Sequence, residues 1–544
     1  MRRAIYRAVG LSDTEFNRPM IGVVNTWNEL SPGHFHLRQL ADAAKSGIWQ
    51  AGGTPLEFGA ISTCGAIALG PSGGDALDYE LPLRDALAAS IEVVTEVHRL
   101  DGLVLLSTCD NVIPGELLAV ARLDIPSVLV TGGPMLPGGY EGKQILMTDV
   151  DAAVLGMYPS GRINDDELSA WERVACPTCG ACPVLGTANS MQIITEALGM
   201  CLPGSSTIPA VYGEKLASAR KSGRKAVELV KMSLKPSGIL TQGAFENAAR
   251  VDMAIGGSTN VPLHLIGIAR SMGINFGLER FDDLSKDTPC ICAVKPNGPY
   301  NVVDLHNAGG VMAVMSELRD RLDLDARTVS GQPLRENLKQ AACKNPDVIR
   351  TTSNPVYKEG GLAVLKGTLA PNGAINRQSA VAKERLRVKG PAVVFESDEE
   401  SYKAIRNGEI NDGDIIVIRY EGPRGAPGMR EVMLTTESIV GMGLDTKVSL
   451  VTDGRFSGFS RGPIIGHVSP EAAVGGPIAI VQNGDTVTID IPKRRLDLDI
   501  PADEIRKRLS NWSPPKRKLR PGFLSIYAKT AEQAEFGALM DARL

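Results

Sequence analysis

The 544-residue chain is too long for one ordinary hydrophobic core, and its 43% apolar content is enough to bury two or three. A net charge of −4, from 58 Lys and Arg against 62 Asp and Glu, offers no basic surface for a nucleic-acid backbone or an anionic membrane. No apolar run approaches membrane-spanning length, residues 1–7 are basic with no apolar stretch behind them, and nine sparse cysteines do not make a disulfide framework, so a reducing, cytoplasmic setting is expected.

In chain order, Ile21-Gly22-Val23-Val24-Asn25 reads as a buried strand and residues 37–51 as an amphipathic helix. A second helix over 83–99 leads into the strand Gly102-Leu103-Val104-Leu105-Leu106-Ser107. Another helix and the strand Ser127-Val128-Leu129-Val130 complete a β-α-β-α-β alternation, which predicts a parallel sheet with helices on both faces. Residues 183–345 read as mostly helical, interrupted at Gly256-Gly257-Ser258-Thr259-Asn260. From about residue 360, short strands at 393–395, 414–418, 448–451 and 486–489 alternate with Gly and Pro turns, and a helical tail follows residue 502. The expected fold is therefore α/β: a parallel-sheet domain with helical additions over 1–360, then a smaller β-rich, barrel-like domain over 361–544. Residues 345–365 read as the linker. No internal repeat or low-complexity tract is visible.

Two cysteine motifs carry the chemistry. In Cys176-Pro177-Thr178-Cys179-Gly180-Ala181-Cys182, three thiols two residues apart can converge on one iron–sulfur or zinc site. A further thiol stands upstream in Cys109-Asp110-Asn111-Val112-Ile113-Pro114-Gly115, directly after a strand end, where open α/β sheets place their sites. Each has a plainer alternative. Cys64 lies alone in an Ala, Gly and Ile stretch, as a core thiol would, and Ser457 sits in a glycine-rich turn that a serine can simply form. Asp110 and Glu431 have Arg424 or Arg455 as possible partners, and His34 and His36 flank a helix start that they could cap, pack under, or use to reach substrate.

Seven ordered blocks resemble the dihydroxy-acid dehydratase/phosphogluconate dehydratase family over essentially the whole chain, and most nearly its branched-chain dihydroxy-acid enzymes. They are Pro32-Gly33-His34-Phe35-His36-Leu37, Cys109-Asp110-Asn111 with Pro114-Gly115, Gly132-Gly133-Pro134-Met135, and residues 176–191. The others are Gly256-Gly257-Ser258-Thr259-Asn260, Gly422-Pro423-Arg424-Gly425 with Pro427-Gly428-Met429 and Glu431, and Thr452-Asp453-Gly454-Arg455-Phe456-Ser457-Gly458.

The resemblance implies a hydro-lyase that removes water from a 2,3-dihydroxy acid to leave a 2-keto acid. In that chemistry an iron–sulfur cluster acts as Lewis acid, a Mg²⁺ holds the carboxylate end, and a serine takes the C2 proton. Carried over by motif, Cys109 and Cys182 would ligate the cluster, Asp110 and Glu431 the Mg²⁺, and Ser457 would be the base. Gly33 matches the subgroup associated with a [4Fe-4S] rather than a [2Fe-2S] centre, and Cys64 is then the candidate third ligand. The partners implied are a small hydroxy-acid substrate and a second copy of the chain, with the active site between the two domains. Two positions depart from the pattern: Gly65 stands for an expected Asp, and Asn111 for an expected Lys that carries a further cation ligand. Restoring Gly65→Asp with Asn111→Lys is expected to tighten Mg²⁺ binding. The alternatives are a sugar-acid dehydratase and a divergent paralogue with altered or lost catalysis; the chain is too large and pocket-like for an electron carrier.

Overall fold

The computed structural model describes residues 2–69, 74–458, 460–515, 519 and 521–540. Near the start, β1 (Met20–Asn25), β2 (Thr54–Gly59), β3 (Gly102–Ser107) and β4 (Ser127–Thr131) form a sheet in the order β2-β1-β3-β4, parallel throughout. Every residue of β1, β3 and β4 is buried, as expected of strands covered on both faces. Helices α1 (Leu37–Gln50), α2 (Glu80–His98) and α3 (Val112–Leu123) make the crossovers. Sequence reading missed β2: it is an edge strand with one buried residue and a proline, so it lacks the apolar run that marks its neighbours.

A small hairpin, β5 (Gly138–Tyr140) with β6 (Lys143–Ile145), precedes a largely helical region that includes α4 (Thr187–Ala197), α5 (Gly213–Met232) and α6 (Asn260–Ser271). Residues 341–362 hold no helix or strand, and isolated bridges from Cys290 to Tyr357 and from Cys292 to Ile349 fasten them to the core.

The rest of the chain builds an eight-stranded sheet from β7 (Ala363–Leu365), β8 (Gly373–Asn376), β9 (Arg387–Phe395), β10 (Ile415–Ile418), β11 (Ser449–Thr452), β12 (Ile464–Ser469), β13 (Thr486–Asp490) and β14 (Arg495–Leu498). Its order is β14-β13-β9-β10-β11-β12-β8-β7, parallel from β9 to β12 and antiparallel on the flanks. The two edges meet: the Lys366 N–H donates to Arg494 O at 2.9 Å and the Leu496 N–H to Lys366 O at 3.1 Å, which nearly closes a barrel. Alternate residues of β10 feed separate apolar clusters, Ile415 and Val417 one, Ile416 and Ile418 the other, so both faces of this sheet are covered. The fold expected from sequence, a parallel α/β unit followed by a barrel-like β unit, is the fold observed. Among the described residues, no helix is long and apolar enough to cross a membrane.

Candidate active site

A cavity of about 340 Å³ is lined by Cys64, Cys109, Asp110, Cys182, Glu431 and Ser457 together. All six residues singled out from sequence thus face one space, although they come from five separate segments. Cys109 and Asp110 occupy the turn from β3 into α3, and Cys64 lies in the loop that follows β2. Cys182 is in the loop that leads to α4, Glu431 stands just ahead of helix α7 (Met433–Gly441), and Ser457 is in the loop after β11.

On the thiol side, Cys109 has φ 65°, a left-handed conformation uncommon outside glycine. Its sulfur packs on the backbone of Gly33: a Cβ added there would lie 2.7 Å from it. A Cys64–Cys109 hydrogen bond draws the Cys64 thiol down and pushes Cys109 well above the usual range, with burial adding to the latter. Cys182 is raised well above its range by burial and then by the charge of Cys64. Cys176 also lines the cavity from an exposed position, whereas Cys201, Cys290 and Cys292 are buried away from it.

The oxygen side is acidic. Burial and then the Glu431 charge push Asp110 up to about 7, against the opposing pull of Arg455 and the Ala188 N–H at the start of α4. Glu80, absent from the sequence-derived set, lines the same cavity and is raised well above the carboxylate range by burial and by Glu431, with Arg455 opposing. Glu431 Oε1 accepts from Asn260 Nδ2 at 2.7 Å and from Arg455 Nη1 at 2.9 Å. Of the two arginines considered as partners, Arg455 is the one that pairs; Arg424 donates to the Ala531 carbonyl instead. Among the described residues, no three Cys, His, Asp or Glu side chains close tightly enough to hold a single ion.

Ser457 is buried and hydrogen-bonds Glu437, a second acid that sequence reading passed over. Burial and then Asp151 push Glu437 up to about 8, while the Ser457 bond lowers it. The serine loop rests on the entrance to α4: a Cβ on Gly458 would stand 2.8 Å from Gly186 Cα. Arg377, also unforeseen, fastens these parts together. Its Nε donates to Gly257 O at 2.9 Å, its Nη2 to Leu185 O at 3.1 Å, and its Nη1 to Gly458 O. No linear signal marks Arg377 or Glu437, because their partners lie far away in sequence.

His34 and His36 are buried outside the cavity lining; His34 Nδ1 faces Thr26 Oγ1 at 3.2 Å and His36 Nε2 faces Gly132 O at 2.9 Å. Asn111 is buried behind the turn, its Oδ1 without a hydrogen-bond partner among the described residues.

Residues 18–337 match the N-terminal and residues 347–538 the C-terminal domain of the dihydroxy-acid/6-phosphogluconate dehydratases. The chain belongs to this family. It is similar to dihydroxy-acid dehydratases from Acetivibrio thermocellus (49% identity over 541 residues, 99% of this chain and 97% of the relative) and Ignicoccus hospitalis (50% over 541 residues, 99% and 97%). A relative of the same name from Caldanaerobacter subterraneus is 49% identical over 539 residues, 99% of this chain and 96% of its own. The enzyme is a dehydratase, and so a hydro-lyase.

Proposed function

We propose that this dehydratase converts a small 2,3-dihydroxy acid with a branched alkyl tail to the 2-keto acid, as in branched-chain amino-acid biosynthesis. The reading includes an iron–sulfur cluster, [4Fe-4S] in preference to [2Fe-2S], on Cys64, Cys109 and Cys182, and a Mg²⁺ toward Asp110 and Glu431. The observation that carries it is the meeting of three thiols, two acids and a serine from distant segments in one cavity.

The donor sets fit these groups. Cysteines of a cluster attach to different irons and need not close on one point, so Cys64, Cys109 and Cys182 would hold it. Mg²⁺ keeps several waters and usually takes only one or two carboxylates, so Asp110 and Glu431 suffice without tight convergence. Nine free thiols and an open cluster call for a reducing compartment, and the family resemblance adds a homodimer.

When bound, the two groups would supply Lewis acidity, the iron toward the leaving hydroxyl and the cation toward the carboxylate end. Ser457 takes the proton from C2, the electron pair released forms the C2–C3 double bond as the C3–O bond breaks, and the departing hydroxide leaves as water with the proton that the serine first gave up. The enol then tautomerises to the keto acid. The hydrogen bond between Ser457 and Glu437 supports Glu437 as the group that accepts the serine proton. Arg455 and Asn260 hold Glu431 in orientation. Ile67, Met135, Met147, Val184 and Met433 in the wall favour an aliphatic tail. Asp151, in the same wall, favours the second reading, a sugar-acid substrate whose hydroxyls it would bind.

The test is anaerobic purification, iron and sulfide analysis, and a 2-keto-acid assay on 2,3-dihydroxyisovalerate and a panel of aldonic acids. Turnover of the branched substrate is expected, falling by roughly 10²–10⁴-fold in Ser457→Ala with iron content unchanged. Turnover of aldonic acids alone would decide for the sugar-acid reading, and iron-loaded protein inert on the whole panel would refute both.

A further inference from the structure

Where the family resemblance calls for an aspartate, position 65 holds glycine, and the space such a side chain would enter is already filled. A Cβ built on Gly65 would lie 1.1 Å from Oε1 and 2.2 Å from Cδ of Glu80. Glu80 opens α2, is 6% exposed and lines the cavity beside Asp110 and Glu431. We propose that Glu80 replaces the carboxylate missing at position 65: a cation held toward Asp110 and Glu431 would draw its third acid from the start of α2, partly through its own waters, because the three acids do not close on one point in this structure. The inference rests on the reading of this cavity as a dehydratase site.

The charge balance supports it. Four carboxylates, Glu80, Asp110, Asp151 and Glu431, line the cavity, and among the described residues Arg455 is the one cation paired with any of them, its Nη1 2.9 Å from Glu431 Oε1 and its Nη2 3.6 Å from Glu80 Oε2. Among the described residues no hydrogen bond reaches the Glu80 carboxylate, so an acid more than nine-tenths buried is aimed into the cavity with only that long ion pair. Buried charge of one sign is costly without a counter-charge. A hard divalent cation with oxygen ligands is the counter-charge this arrangement suits. Side-chain volume makes Gly65 and Glu80 a matched pair: the carboxylate can occupy that place only because residue 65 has no side chain. An aspartate added at 65 alone is therefore not expected to strengthen the site; it drives two acids into one volume.

The experiment is Mn²⁺ titration of the anaerobically purified full-length protein, followed by the free-ion EPR signal. It compares Glu80→Gln, Glu80→Ala, Glu431→Gln, Gly65→Asp and the double variant Gly65→Asp with Glu80→Ala. Glu80→Gln is expected to weaken Mn²⁺ binding roughly 10–100-fold. Gly65→Asp alone is expected to weaken it too, and the double variant to recover most of the affinity that Glu80→Ala loses. Unchanged binding in Glu80→Gln with loss in Glu431→Gln would overturn the role of Glu80 and leave the cation site standing. Unchanged binding in both would remove the cation site itself, and the inference with it. A double variant no better than Glu80→Ala would also overturn the exchange of positions.

Discussion

Gly33→Ala tests the thiol side of the cavity. An alanine Cβ would stand 2.7 Å from the Cys109 sulfur, while the next atoms, Thr108 Cγ2 and Ser31 Oγ, lie at 3.6 and 3.7 Å. Ordinary carbon contacts begin near 3.5 Å, so the sulfur must retreat by roughly 1 Å and nothing else need move. Cys109 has little room to comply, being buried with its backbone at φ 65°. Turning the side chain off its preferred rotamer costs about 0.5–1.5 kcal/mol, and overpacking of this kind about 1–3 kcal/mol. A chain with cores this large absorbs that cost and still folds. The thiol set is less tolerant, because the sulfur that must move is the one hydrogen-bonded to Cys64. The expected result is a folded protein with native far-UV circular dichroism, several-fold less iron and sulfide per chain, and turnover reduced in proportion. A Gly33→Ala protein that binds a full complement of iron and turns over normally would refute the packing argument.

What sequence could and could not disclose follows from how far apart partners lie. The strands β1, β3 and β4 are buried on both faces, so continuous apolar runs betray them; β2 is an edge with one buried residue and stays silent. Short apolar runs marked β9, β10, β11 and β13 but not β7, β8, β12 or β14, nor that β9 to β12 run parallel, since a run records burial and not the direction of its neighbours. In the site, the six residues found by motif share the cavity because their local blocks are recognisable one at a time. Glu80 was unreadable for the opposite reason. An acid at the start of a helix is ordinary on its own, and its meaning depends on an empty side-chain position at Gly65 that only folding brings alongside. Arg377 and Glu437 are of the same kind: a guanidinium spanning Leu185, Gly257 and Gly458, and an acid under Ser457, are contacts between segments with no common sequence pattern.

Arg377→Lys leaves one amine to serve carbonyls that the guanidinium bridges from three loops. Turnover should fall by roughly 10²-fold as the Ser457 loop loses its register, with iron content unchanged; steady-state kinetics beside iron analysis checks this, and wild-type kcat would count against the bridge. Glu116→Gln isolates a pH effect beneath the cysteine turn. Glu116 on α3 is fully buried, accepts from Ser107 Oγ at 2.6 Å, and is pushed up to about 8 by burial. Between its unfolded value near 4.3 and about 8 the folded chain holds a proton that the unfolded chain has released. Stability therefore falls as pH rises through that window, by about 1.4 kcal/mol per unit, or about 4–5 kcal/mol in all. Glutamine keeps an acceptor for Ser107 and cannot ionise, so the variant escapes this loss. Its thermal midpoint relative to wild type should climb steadily from pH 5 to pH 8 and level off above. A difference that stays constant across that range would mean that Glu116 ionises as readily in the folded chain as in the unfolded one, which its burial and single hydrogen-bond donor argue against.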